Sequence, residues 1–202
     1  MPTVRAMQTP LRFIVLTLVA VGFGQAAESA LSFVDLRAGG GVTVSEGKTV
    51  NLTLMAGDIG NKDKHVISMD ADMGIVIGLR GQMAEVTAKR IDGLGDLDLK
   101  LGGGTLMGGL GFYLGKKSHA ELLFGYARGV GTQTGSAPWD ERDSSYSQLL
   151  GELGWYYTWN SHLMVGITAG YSQIKVTWDN AGTDVDAKAK GIDAGIALGY
   201  RF

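Results

Sequence analysis

The chain has 202 residues, 45% hydrophobic and 19% charged, with 32 glycines, 3 prolines and no cysteine. Glycine stands at roughly 16% against a usual value of about 7%, yet shows no Gly-X-Y period, which excludes collagen, and the hydrophobic content excludes a disordered chain. A formal charge of −2 lacks the basic excess of a general nucleic-acid binder, and the absence of cysteine excludes disulfides, thiolate metal sites and cysteine nucleophiles.

Residues 1–26 predict a secretory signal. Arg5 and Arg12 supply a positive start, Phe13 to Phe23 an apolar run of 11 residues, and Gly24-Gln25-Ala26 small residues at the −3 and −1 positions of a cleavage site. The run is too short for a spanning helix, which needs about 20 residues. A single mature domain, 27–202, is expected to follow, with 16 basic against 20 acidic residues and no later run of 18 apolar residues. Any membrane insertion of that domain is then not helical.

The mature chain alternates with period two. From Ile67 to Leu79 every odd residue is apolar, opposite Ser68, Asp70, Asp72, Gly74, Val76 and Gly78. Leu149, Gly151, Leu153, Trp155 and Tyr157 share one face against Gln148, Glu152, Gly154 and Thr158. Leu163 to Tyr171 and Ile192 to Phe202 repeat the pattern. A strand throws successive side chains to opposite faces, so each run has a greasy and a polar or small face. The runs match the roughly 9–11 residues a tilted strand needs to cross a bilayer, and a spanning sheet must close on itself because no water satisfies its edges.

A soluble barrel, greasy face inward, shares the same alternation. Three features favour the membrane form. Gly154, Gly166, Gly170, Gly195 and Gly199 sit on the polar face, as a narrow lumen requires. Aromatics fall near strand ends: Phe112, Tyr113, Trp155, Tyr157, Trp159, Tyr200 and Phe202 at one level, Tyr126, Tyr146, Tyr171 and Trp178 toward the other. Connections alternate between short turns (115–118, 160–161) and long polar stretches (129–145, 176–189).

These runs predict an all-β, antiparallel, up-and-down transmembrane β-barrel. The eight expected strands are 31–44, 49–57, 65–79, 96–114, 119–129, 145–158, 162–175 and 190–202. Ten strands result if Met83–Lys89 is a further strand and Gly102–Gly104 a turn. An even count puts both termini in the periplasm and loops near 81–95, 130–144 and 176–189 outside.

The ending Gly191-Ile-Asp-Ala-Gly-Ile-Ala-Leu-Gly-Tyr-Arg-Phe202 resembles the terminal strand of small bacterial outer-membrane proteins of the OmpA-like, OmpX-like and opacity-type barrels. The stretch Asp92 to Gly104 also resembles YfaZ-type barrels. The resemblance implies that Tyr200 and Phe202 form the signal read by the barrel-insertion machinery. It further implies an outer-membrane location among lipid and lipopolysaccharide, and roles from adhesion to envelope stabilisation; the fold transfers better than any function.

On this reading Asp35, Arg37, Asp70, Asp72, Lys100, Glu121, Glu152, Asp193 and Arg201 point into the lumen. Eight strands leave an interior that side chains fill, so these charges must pair or stay hydrated. Glu121, Glu152, Asp193, Arg201, Arg37 and Lys100 form the expected lumen charge network, as a stabilising plug or as a low-conductance gate. Trp139, Asp140, Glu141 and Arg142 mix an aromatic with charges and form the expected loop patch for a host or surface ligand.

No catalytic, cofactor or metal site is expected. His119 and His162 lie beside short turns and read as solvated or interfacial, while His65 and Ser68 fall on opposite strand faces. The stretch Gly41–Lys48 has five residues between its glycines where a phosphate loop has four, and no helix follows. Asp70 with Asp72, and Asp96 with Asp98, set carboxylates about 6.8 Å apart on one face, without the loop spacing of a calcium site. The chain reads as a monomeric, non-enzymatic barrel acting structurally or through its outer loops, with a narrow pore as the alternative.

Overall fold

The computed structural model describes residues 33–43, 47–58, 73–90, 96–114, 117–134, 143–159, 162–180 and 183–202. The expected signal segment, Asp70, Asp72 and the Trp139–Arg142 patch lie outside them. The alternating runs form eight strands: β1 (Phe33–Thr43), β2 (Gly47–Asp58), β3 (Met73–Arg90), β4 (Asp96–Tyr113), β5 (Ser118–Thr134), β6 (Asp143–Trp159), β7 (Leu163–Asn180) and β8 (Thr183–Arg201). Each pairs antiparallel with the next, and β1 returns to β8 from Asp35↔Arg201 to Val42↔Ala194, closing an up-and-down barrel.

The count is eight, not ten. Residues 83–89 continue β3, which runs to Arg90 where the sequence predicts an end at Leu79. Gly102–Gly104 lie within β4, paired to Gln82 and its neighbours on one side and to Arg128–Val130 on the other. Gly103 serves close approach: a Cβ there would stand 2.4 Å from the Arg128 carbonyl oxygen and 2.5 Å from the Tyr146 hydroxyl.

Length divides the barrel into two stories. β1 and β2 have 11 and 12 residues, whereas β3 to β8 have 17 to 19. Crossing a bilayer takes only about 9–11. Past the β1–β2 hairpin, β3 meets β8 directly at Lys89↔Lys188 and Arg90↔Ala187, so six strands close a collar at the end opposite the termini. Most of the expected outer loops are therefore strand, and only 91–95, 135–142 and 181–182 separate the elements there.

The polarity of the outer wall reverses between the stories. In the lower one Ile77 and Leu79, Leu106, Phe124, Leu153, Ile167, Ile196 and Leu198 stand exposed on the outer face, while Arg37, Thr53, Glu121 and Tyr156 are buried inside. In the collar Glu85, Lys100, Arg128, Lys175, Lys188 and Lys190 stand outside. Ala84, Val86, Leu99, Leu101, Ala127, Tyr146, Ile174, Val176, Trp178, Ala187 and Ala189 form a buried apolar cluster within. The same strands thus wear apolar side chains outside where lipid would lie and inside where water would lie. Tyr146 and Trp178 are core residues, 3% and 6% exposed, and not members of an aromatic girdle. Tyr126 and Tyr171 do face outward, and Trp155, Trp159, Tyr200 and Phe202 form the exposed band near the termini.

Candidate functional site

Side chains that share a strand face two residues apart, or meet across the lumen, build two charge clusters. In the first, Asp35 and Arg37 rise from β1, His119 and Glu121 from β5, Tyr156 from β6 and Arg201 from β8. Arg37 donates through Nη1 and Nη2 to Glu121 Oε2 and Oε1, both at 2.6 Å. Its Nη2 also donates to Asp35 Oδ2 at 2.9 Å. Arg201 grips the same carboxylate in fork geometry, Nε to Oδ1 at 2.8 Å and Nη2 to Oδ2 at 3.0 Å. His119 Nε2 lies 3.0 Å from Glu121 Oε1. The five groups make one chain of contacts, Arg201–Asp35–Arg37–Glu121–His119, buried throughout except for partly exposed Arg201. Two arginines meet two carboxylates, so the cluster holds charge without leaving one uncompensated.

Tyr156 supports this cluster. The Arg37 guanidinium carbon sits 4.0 Å from its ring centroid, and the His119 ring stacks on it at 5.2 Å and 21°. The ring lies on glycines: a Cβ on Gly166 would stand 2.2 Å from its Cδ1, and one on Gly154 2.5 Å from its Cε2. Arg201 stacks on Phe33 at 4.5 Å in the same way.

The second cluster joins Arg80 of β3 to Glu152 of β6, with Nη1–Oε2 at 2.8 Å and Nη2–Oε1 at 2.7 Å. Arg80 Nε donates to Thr53 Oγ1 at 3.1 Å. Above it Gln82 Nε2 donates to Gln148 Oε1 at 2.5 Å. Between the clusters lies a cavity of about 60 Å³, lined by Arg37, Arg80, Glu152, Tyr156 and Asp193 among others. That is room for a few waters.

Of the six residues expected in the lumen network, Arg37, Glu121 and Arg201 meet in the first cluster, Glu152 lies in the second, and Asp193 lines the cavity. Lys100 does not belong. It stands on the outer face of the collar opposite Glu85, 3.8 Å away, with the side chains 60% and 64% exposed. It shares a face with exposed Leu106, and only the reversal of polarity past Gly104 made that face look lumenal. Arg80, the partner of Glu152, was not expected inside, because it follows the predicted end of its strand. Its place in the even series Gly74, Val76, Gly78, Arg80, Gln82 carries the signal.

His119 is also corrected: it is 1% exposed and lumenal, because it lies two residues from Glu121 on one strand face. Its buried Nδ1 meets no hydrogen-bond partner among the described residues. His162 is exposed, stacked on Tyr200 at 5.4 Å and 8°. Around it the terminal strand is tied in: Arg201 N donates to His162 O at 2.7 Å and Phe202 N to Val34 O at 2.9 Å. Tyr200 and Phe202 face outward, edge to face at 5.2 Å.

On the collar, Lys175 Nζ lies 2.9 Å from Asp186 Oδ2. Hydrogen bonds from Lys175 and from Thr177 Oγ1 hold the Asp186 carboxyl below the usual carboxylate range.

No family model matches the sequence, and no curated protein matches it. The fold is similar to that of solved outer-membrane barrels. Ail, the attachment invasion locus protein of Yersinia pestis, in complex with the heparin analogue sucrose octasulfate, is 15% identical over 85% of this chain and 97% of its own, with a TM-score of 0.46. Ail in a phospholipid bilayer nanodisc gives 14% identity, 84% and 99% coverage and a TM-score of 0.44. The N-terminal β-barrel domain of Pseudomonas aeruginosa OprF gives 12%, 84% and 97%, and 0.42. At these identities and scores the likeness carries nothing about ligand or activity.

Proposed function

We propose that this chain is a closed, monomeric, non-enzymatic barrel of the bacterial outer membrane, with a structural or surface-interaction role. The termini face the periplasm, and the collar with the loops it carries faces outward. The observation that supports this is the polarity reversal: a greasy outer wall on the lower story, a charged outer wall and apolar core on the collar. A soluble barrel would gain nothing from exposing Phe124, Leu153 and Ile196, and a barrel ending at the lipid surface would have no use for the collar. Exported through a cleaved signal and recognised at Tyr200 and Phe202 by the insertion machinery, the chain would present the Trp139–Arg142 loop as part of its contact surface.

The filled lumen supports a plug over a pore. Arg37 and Glu121 close one end, the collar cluster occupies the other, and the space between them has room for only a few waters. Planar-bilayer recording of the reconstituted full chain tests this. We expect no discrete conductance steps; reproducible steps abolished by an Arg80→Gln change would favour the pore instead.

A further inference from the structure

Registration of β7, β8 and β3 sets lysines side by side. Lys188 of β8 has Lys175 of β7 as its direct partner on one side and Lys89 of β3 on the other. Lys190, two residues along the same face of β8, sits opposite Gln173. Lys175, Lys188 and Lys190 are all exposed on the outer wall. Like charges directly opposite in an antiparallel pair destabilise a sheet, and Lys175 and Lys188 form such a pair. The acid that meets Lys175, Lys188 and Lys190 among the described residues is Asp186, which is hydrogen-bonded to Lys175 and also faces Lys188. One carboxylate against Lys175, Lys188 and Lys190 leaves the row net positive.

The height of the row is as informative as its charge. The next outward residue of β8 is Ile192, paired with Tyr171 of β7, both exposed, and below them come Ile167, Ile196 and Leu198. The lysines therefore occupy the first polar step beyond the apolar belt, with a tyrosine ring at the boundary. At that depth a lipid presents its phosphates, and each lysine near an anionic membrane surface is worth about 1 kcal/mol.

We propose that Lys175, Lys188 and Lys190 form a binding site on the outer wall of β7–β8 for the phosphate-bearing headgroup of an outer-leaflet lipid. The proposal rests on the outer-membrane reading above. The headgroup supplies the negative charge that the row lacks and cancels the cross-strand repulsion, while its acyl chains lie along Ile192, Ile196 and Leu198. The site is a clamp on a lipid and not on a soluble polyanion, because the apolar belt begins one residue pair below it.

The test uses the refolded full chain in neutral-detergent micelles, with and without bis-phosphorylated lipid A. Wild type should gain thermal stability as lipid A is added. Lys188→Gln/Lys190→Gln should bind it roughly 30-fold more weakly, from two lost lysine contacts. In micelles without lipid A, Lys188→Gln alone should raise the melting temperature, since it removes the Lys175–Lys188 like-charge pair. An unchanged or lowered melting temperature there, or equal lipid A binding by the double variant, would overturn the proposal. So would an equal stabilisation by dephosphorylated lipid A, by inorganic phosphate or by heparin. Failure of the chain to partition into membranes would refute the outer-membrane reading itself, and is read separately by fractionation of intact cells.

Discussion

Arg37 spans the lumen from β1 to β5 and lays both terminal nitrogens on the two oxygens of Glu121, each at 2.6 Å. Neither side chain reaches solvent. The pair is the crossbar of the barrel, since its strands lie on opposite sides of the closed sheet. Removing one partner leaves one uncompensated charge in the buried cluster, at a cost of about 3–5 kcal/mol. We expect Glu121→Gln and Arg37→Met each to lower the unfolding free energy by that amount, read from the urea dependence of the folded band on unheated gels. The double variant should recover most of the loss. Additive losses would show that the contact is not what stabilises the lumen.

Tyr156 and Gly166 make a second, steric prediction. A methyl on Gly166 would fall within the Tyr156 ring, whereas one on Gly104 meets nothing within 4 Å. Gly166→Ala should destabilise by about 1–3 kcal/mol through overpacking. Gly104→Ala should stay within about 0.5 kcal/mol of wild type. Equal effects in thermal melts would contradict the packing described for the ring.

The collar core and its outer wall should respond to very different degrees. Leu99 and Leu101 are buried in the apolar cluster, and truncation of either to Ala should cost about 2–5 kcal/mol. Lys100 lies between them, exposed and loosely paired to Glu85. Its change to Ala should cost less than about 1 kcal/mol. Hydrogen exchange of the far ends of β3 and β4 checks both.

The Asp186 carboxyl should titrate below its ordinary value of about 3.9, because Lys175 and Thr177 hydrogen-bond its charged form. With the folded value depressed, its contribution to stability is present above the unfolded value and is lost as pH falls through the folded one. The pair is well exposed, so the contribution is small. A carbon-detected titration should show the midpoint return upward in Lys175→Gln; an unmoved midpoint would mean that the lysine does not set it.

Much of this architecture was legible from alternation alone. Ile192 to Phe202 and Leu163 to Tyr171 keep one polarity along their length, and a terminal run of that kind has few ways to fold. The third strand and the outer loops were harder. Residues 81–90 and 176–189 lie where apolar side chains turn inward and lysines outward, so a fixed expectation of greasy-outside reads them as loop. Parity survives that reversal, and it alone places Lys100 outside and His119 beside Glu121. The pairing of Arg37 with Glu121 and of Arg80 with Glu152 joins strands distant in sequence. Such contacts depend on the shear of the closed barrel, which no local pattern carries.

Cysteine substitution tests the orientation of the wall most directly, because the chain has none of its own. Lys188→Cys on the collar wall, Ile196→Cys on the belt and Val176→Cys in the collar core are expressed one at a time in intact cells and exposed to a membrane-impermeant maleimide. Lys188→Cys should label rapidly, while Ile196→Cys and Val176→Cys should stay unlabelled until the protein is unfolded in detergent. Labelling of Ile196→Cys as fast as Lys188→Cys would mean that the apolar wall meets water and not lipid.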